Sequence, residues 1–213
     1  MIVNRYRYIE QLSRSKNNGL IKIITGLRRS GKSFLLKKLF HQHLLDEGVR
    51  EDHILVIDME SRKNREFKNP DYLLDWVEKM MIDYETYYII IDEVQEVEDF
   101  VEVLSSLSVT EGADVYVTGS NSRFLSSDLV TEFRGRGDEI HVWPLSFKEF
   151  MTVYDGSKED GWAEYRLYGG LPQLLTQVGD EKKADFLRRL YRTVYLLSLI
   201  HISEPTRPEP ISY

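Results

Sequence analysis

A short apolar run, Ile21–Thr25, leads directly into Gly26-Leu-Arg-Arg-Ser-Gly-Lys-Ser33, and a helix-forming stretch follows at once. No other feature constrains the fold as tightly. The pattern is G-x-x-x-x-G-K-[ST], which works only as a glycine-rich loop between a buried strand and a helix N-terminus. There the glycines let the backbone wrap an anion, N–H groups point at it, and the helix end favours negative charge. Gly26, Leu27, Arg28, Arg29, Ser30, Gly31, Lys32, Ser33 and Phe34 are therefore the candidate phosphate cradle. Lys32 is expected to reach the β- and γ-phosphates of a nucleotide, and the Ser33 hydroxyl to coordinate Mg²⁺. Outside this context the same letters read as a glycine turn with a solvated lysine. Arg28 and Arg29 either add positive potential or face water, and Arg29 is assigned to water.

The rest of the chain repeats the alternation. Apolar runs at 21–25, 54–58, 87–91, 115–118 and 140–143 are separated by helical patterns at 33–45, 71–82, 100–107 and 124–133. Strands that alternate with helices make a parallel sheet with helices on its faces. The middle runs are too uniformly apolar to have a wet face. After Pro144 strand signals stop, and helical patterns at 147–154, 162–168 and 181–196 suggest a small helical lid. The expected organisation is a core over 1–143, a lid over 144–196 and a tail over 197–213. No internal repeat is visible.

Three further segments fall where the sheet delivers side chains to a ligand. Tyr87-Tyr-Ile-Ile-Ile-Asp-Glu93 is a buried strand ending in two carboxylates. Asp92 is expected to hold Mg²⁺ through its water shell, and Glu93 to polarise the attacking water. Val115-Tyr-Val-Thr-Gly-Ser-Asn-Ser122 brings Thr118, Ser120 and Asn121 to the carboxyl end of the sheet, where open α/β folds bind ligands. They are candidates for sensing the γ-phosphate or positioning water. In Phe133-Arg-Gly-Arg-Gly137, Arg134 and Arg136 either reach a phosphate, here or in a neighbouring subunit, or are solvated in a loop. Gln95 either positions water or is structural. Arg62, Lys63, Arg65 and Lys68 are assigned to a solvated loop.

Composition removes other classes. The net charge of −7 gives no global attraction to nucleic acid or anionic membranes. The absence of cysteine excludes disulfides, thiolate metal sites and cysteine nucleophiles. His41, His43, His53, His141 and His201 have no metal-ligand spacing. No run approaches the roughly 20 apolar residues of a membrane helix, and Met1–Tyr8 is no signal peptide, so the default location is the cytoplasm. The chain has no N-K-x-D motif for guanine, and the adjacent Asp-Glu pair disfavours a small-molecule kinase.

With these pieces placed, the chain resembles a family of bacterial and archaeal AAA-type ATP-binding proteins from about Arg5 to Leu196. The resemblance rests on Gly26–Ser33, Ile91-Asp-Glu-Val-Gln95, Thr118-Gly-Ser-Asn-Ser122, Phe133-Arg-Gly-Arg136, Pro144-Leu-Ser-Phe147 and Tyr168-Gly-Gly-Leu-Pro172. It implies an α/β P-loop NTPase of AAA type: a three-layer sandwich, sheet order 5-1-4-3-2, with a helical lid. It also implies ATP and Mg²⁺ as cofactors, ATP hydrolysis, and Gly170 and Pro172 beside the nucleotide, with Arg5 and Tyr8 near the adenine. An arginine finger would act in trans within a homo-oligomer. Such an ATPase would serve as switch or motor for an effector domain. A nucleotide-gated binding module with little turnover and a small-molecule phosphotransferase are the alternatives. Family members continue into a winged-helix-like segment and a domain resembling restriction endonucleases. Neither is among these residues, so a nucleic-acid role has no support in this chain.

The segment Leu197-Ser-Leu-Ile-His-Ile-Ser-Glu-Pro-Thr-Arg207 resembles an in-frame translation of a sequencing-library adaptor, the alternative being a natural proline-rich tail. On the adaptor reading the native gene is cut short, and 197–213 contributes nothing to the fold. A chain ending at Leu196 is then expected to keep the melting temperature and ATP affinity of the 213-residue chain and to be more soluble. The reason is that the apolar, β-prone stretch around Leu197 is an aggregation hazard. A loss of several degrees in a thermal melt would make the segment native.

Overall fold

The computed structural model describes residues 2–119 and 137–192. Strands β1 (Ile21–Thr25), β2 (Ile54–Asp58), β3 (Tyr87–Asp92), β4 (Ala113–Thr118) and β5 (Gly137–His141) form one parallel sheet in the order β2-β3-β4-β1-β5. This is the expected 5-1-4-3-2 order, read from the opposite edge.

Side chains alternate across a strand, and in β3 that alternation divides the core. Tyr87, Ile89 and Ile91 pack with Leu73 and Val77 of α4 (Pro70–Met80) and with Val103, Leu104 and Leu107 of α5 (Phe100–Ser108). Tyr88 and Ile90 belong to the opposite cluster, with Tyr8 and Leu12 of α1 (Tyr6–Arg14) and with Leu35, Leu36, Phe40 and Leu44. Helices thus cover both faces, and every residue of β3 is buried. The helix after the glycine loop changes pitch along its length. It begins as α2 (Lys32–Phe34), widens into π-helical Leu35–Phe40 and continues as α3 (His41–Asp46).

Several expected boundaries move, each for a local reason. Strand β5 starts at Gly137, not 140, because Asp138 and Glu139 disguise the start of an edge strand; Asp138 accepts the Ser15 hydroxyl at 2.6 Å. Helix α6 (Phe147–Met151) opens with a capping box between Ser146 and Glu149 and stops short of 154. Helix α7 (Lys158–Tyr168) begins four residues before 162, because the Ser157 side chain accepts the Asp160 N–H. Helix α8 is described over Asp180–Tyr191. The 62–68 segment is 3₁₀-helical instead of a plain loop. Helix α1 was not anticipated. The pattern at 124–133 and the tail lie outside the described residues. Among the described residues no helix is long and apolar enough to cross a membrane.

The sheet also carries a buried ion pair. Lys22 on β1 donates to Asp114 on β4, which also accepts the Tyr116 hydroxyl at 2.8 Å and the Asn17 N–H at 3.1 Å. Both charges are buried. Removing one partner strands the other, so Lys22→Met is expected to destabilise the fold by about 3–5 kcal/mol. Lys22→Met combined with Asp114→Asn should recover most of that loss. Urea denaturation of the three proteins checks this.

Candidate functional site

The loop after β1 is built on two left-handed glycines. Gly26 has φ 136° and Gly31 φ 100°, conformations closed to ordinary side chains. A Cβ on Gly26 would lie 2.2 Å from the Val142 carbonyl oxygen, so the loop leaves the sheet pressed against the exit of β5. Arg29 is also left-handed, at φ 68°, and such strain is usually held at functional sites. Leu27, Arg28 and Arg29 are exposed, while Ser30 and Lys32 are buried. Arg29 is not simply solvated, as expected for it: its guanidinium lies 5.1 Å from the Phe186 ring centroid in α8. The Ser30 hydroxyl is buried with no hydrogen-bond partner among the described residues. An orphaned hydroxyl in such a loop fits a polar ligand.

Lys32 Nζ donates to Gly26 O at 3.0 Å and Leu27 O at 3.1 Å, closing the loop on itself. Burial pulls this ammonium below the ordinary lysine value, against the opposing charges of Glu93 and Asp92. Ser33 and Phe34 follow in α2, half-buried and exposed respectively.

At the end of β3, Asp92 is buried, and its Oδ1 accepts the Thr118 hydroxyl at 2.6 Å. The same Thr118 oxygen accepts the Glu93 N–H at 2.9 Å. Glu93 is left-handed at φ 58° and half-buried, and its Oε2 accepts the Gln95 amide. Thr118 therefore orients the two carboxylate residues. Asp92 Oδ2 lies 2.7 Å from Lys37 Nζ, which is also 2.7 Å from Asp58 Oδ2. Burial alone would lower Lys37, but the hydrogen bonds it donates to both aspartates raise it above the ordinary lysine value. Sequence reasoning missed Lys37 and Asp58. The signals were a second lysine five positions after Lys32 and an acidic end to β2 that matches the end of β3.

On the other side of the loop stands Arg5. Its Nη1 donates to Ser30 O at 3.0 Å, Nη2 to Trp143 O at 2.7 Å and Nε to Glu149 at 3.2 Å. Burial pushes the Glu149 carboxyl up, but hydrogen bonds from Ser146 and the Arg5 charge outweigh it and hold it below the usual range. Tyr8, whose ring lies 4.4 Å from the Arg5 guanidinium, accepts the Trp143 N–H. A Cβ on Gly31 would lie 3.6 Å from Pro172, which places Pro172 against the loop. Gly170 packs against Leu145, where a Cβ on it would meet Leu145 O at 2.0 Å. Between these segments lies a cavity of about 1080 Å³ bordered by Asn4, Tyr6, Tyr8, Trp143, Tyr165 and Gly170.

Ser120, Asn121, Arg134 and Arg136 lie outside the described residues. Away from the loop, the fold brings His53 together with Asp83 and Glu85 at distances a metal could bridge, a grouping invisible in linear spacing. Arg50 already contacts His53 and donates to Asp83 at 2.7 Å, and the His53 ring stacks on Tyr87, so the cluster is an ion-pair network. For Mg²⁺, the oxygen donors Asp92 and Ser33 beside Lys32 are of the hard type that ion takes. When bound, it would neutralise phosphate charge.

Residues 18–151 match the family described as AAA domain. The chain is 33% identical over 207 residues to an uncharacterized protein of Haemophilus influenzae, covering 94% of this chain and 51% of that one. It is 24% identical over 197 residues to an uncharacterized protein of Methanocaldococcus jannaschii, covering 84% and 42%. The chain thus spans about half the length of these relatives. Its fold is similar to that of a DNA polymerase III gamma subunit-related protein from Thermotoga maritima, with TM-score 0.50 and 16% identity, covering 93% of this chain and 67% of that one. The chain belongs to the AAA domain family, a nucleotide-binding domain of ATPase type.

Proposed function

We propose that this domain binds Mg-ATP over Gly26–Ser33 and hydrolyses it, acting as a switch or motor for an effector region of a longer protein. One observation carries the reading: Lys32, after β1, lies within electrostatic reach of Asp92 and Glu93 at the end of β3, and Thr118 fixes that acidic pair. In the proposed complex Lys32 exchanges its two loop carbonyls for phosphate oxygens, and Ser33 and Asp92 face the metal. Glu93 takes a proton from the attacking water. The cavity beside Tyr8 and Trp143 receives the adenine, and α6 to α8 serve as the lid. Asn121 remains a proposed water- or γ-phosphate-positioning residue. The division into a core over 1–143, a lid over 144–196 and a non-native tail is part of the same proposal, as is residence in the cytoplasm.

Lys32→Ala is expected to abolish ATP binding in calorimetry. Glu93→Gln should keep Mg-ATP binding and slow phosphate release by roughly 10²–10⁴. Wild-type turnover in Glu93→Gln would remove Glu93 from the mechanism. The hydrogen bond from Gln95 to Glu93 favours a second reading, a binding module with low basal turnover. On that reading Gln95→Ala raises basal phosphate release, whereas on the first it leaves it unchanged or lowers it.

Arg134 or Arg136 is proposed to enter a neighbouring subunit's site as an arginine finger, worth on the order of 10³–10⁵ in rate. Mixing Lys32→Ala with Arg136→Ala chains, and separately with Arg134→Ala chains, should restore activity in one of the two mixtures. Turnover per subunit should rise with protein concentration. Concentration-independent turnover without rescue would favour a monomeric enzyme or a passive loop.

A further inference from the structure

Lys37 has no place in the phosphate-loop pattern, yet its ammonium sits on the carboxylate proposed to face the metal. Asp58 and Asp92 are register partners on β2 and β3, so their side chains leave the same face of the sheet. Two carboxylates so placed repel, and Asp92 is only 1% exposed. Each has one oxygen already engaged. Asp92 Oδ1 takes the Thr118 hydroxyl and Asp58 Oδ1 the Glu60 N–H at 3.1 Å. The remaining oxygen of each, Oδ2, lies 2.7 Å from Lys37 Nζ. Lys37 lies in the π-helical stretch Leu35–Phe40. Such wide turns are uncommon inside helices and concentrate at functional sites.

We propose that Lys37 is a positioning residue for the metal: it aims Asp92 and balances the Asp58–Asp92 pair, then yields Asp92 to a divalent cation arriving with nucleotide while it keeps Asp58. The proposal rests on reading Gly26–Ser33 and Asp92 as a Mg-nucleotide site. An ammonium and a divalent cation on one carboxylate oxygen repel strongly where water is scarce. Lys37 therefore opposes a metal that comes alone. The negative charge of the phosphates offsets that opposition, so metal and nucleotide bind as a unit. A residue that only packed the helix would lower stability on substitution without separating these two metal titrations.

The test uses Mn²⁺ as probe, read from the paramagnetic resonance of the free ion, with and without ATP. Thermal melts confirm that each variant is folded. Lys37→Met is expected to bind Mn²⁺ without nucleotide on the order of tenfold tighter than wild type, because the cation on Asp92 is gone. Lys37→Arg, which keeps the charge, should stay near wild type. Asp58→Asn leaves Lys37 with Asp92 alone and should raise the Mn²⁺ needed for ATP binding by on the order of tenfold. Nucleotide-free Mn²⁺ affinity in folded Lys37→Met equal to wild type overturns the proposal. If Lys37→Met does not fold, a wild-type Mn²⁺ requirement in Asp58→Asn overturns it instead. Failure of the wild-type chain to bind ATP at any metal concentration overturns the nucleotide reading itself, a result distinct from either.

Discussion

The carboxylate of Asp92 is 1% exposed, and a charge removed so far from water must be compensated inside the protein. Much of the site follows from that requirement. The strand register sets Asp58 beside Asp92, which calls for a cation, and Lys37 supplies it from the helix that the glycine loop opens. Thr118, at the end of the next strand, supplies the hydroxyl. Its oxygen then holds the Glu93 N–H, and the chain turns left-handed at that residue. Three strands and a helix are thereby tied at one point. The tie stands at the carboxyl edge of the sheet, where a parallel α/β fold places its ligands.

Arg5 acts as the corresponding tie on the other side of the loop. A planar guanidinium has donors in a fixed fork, and here they serve the loop carbonyl of Ser30, the β5 exit at Trp143 and the capping glutamate of α6. The segment before β1, the loop, and the chain after β5 are far apart in sequence and meet at this one side chain. Glu149 stays below the usual carboxylate range in spite of partial burial because it accepts the Ser146 hydrogen bonds that cap α6 and faces the Arg5 charge.

The sheet was legible in sequence because parallel strands buried on both faces are written as apolar runs, as in Tyr87–Asp92. The glycine loop was legible because its backbone conformations at Gly26 and Gly31 need glycine. Strand β5 was partly hidden by Asp138 and Glu139, since an edge strand need not be apolar along its length. Helix α1 escaped notice because it is short and buries only Tyr8 and Leu12. The backbone clamp formed by Arg5 was not legible, because hydrogen bonds to carbonyls leave no trace in residue spacing. Lys37 and Asp58 escaped for a related reason: their pairing depends on register and helix pitch, which only the folded chain defines.

These contacts leave the glycine loop held unequally on its two sides. Toward the sheet it is pressed on Val142, and Lys32 closes it on itself. Toward the C-terminal helices it touches Pro172 through Gly31 and Phe186 through Arg29. A cation–π contact of that kind is worth only about 0.5–1 kcal/mol at an exposed site, far less than the buried ties at Asp92. Pro172 lies in a segment bounded by Gly169 at φ 80° and Gly179 at φ 89°, neither of which has a heavy atom near its missing Cβ, and Phe186 lies beyond it in α8. On this side the loop is therefore held by an exposed contact to α8 and a van der Waals contact to Pro172, with none of the buried ion pairing found at Asp92.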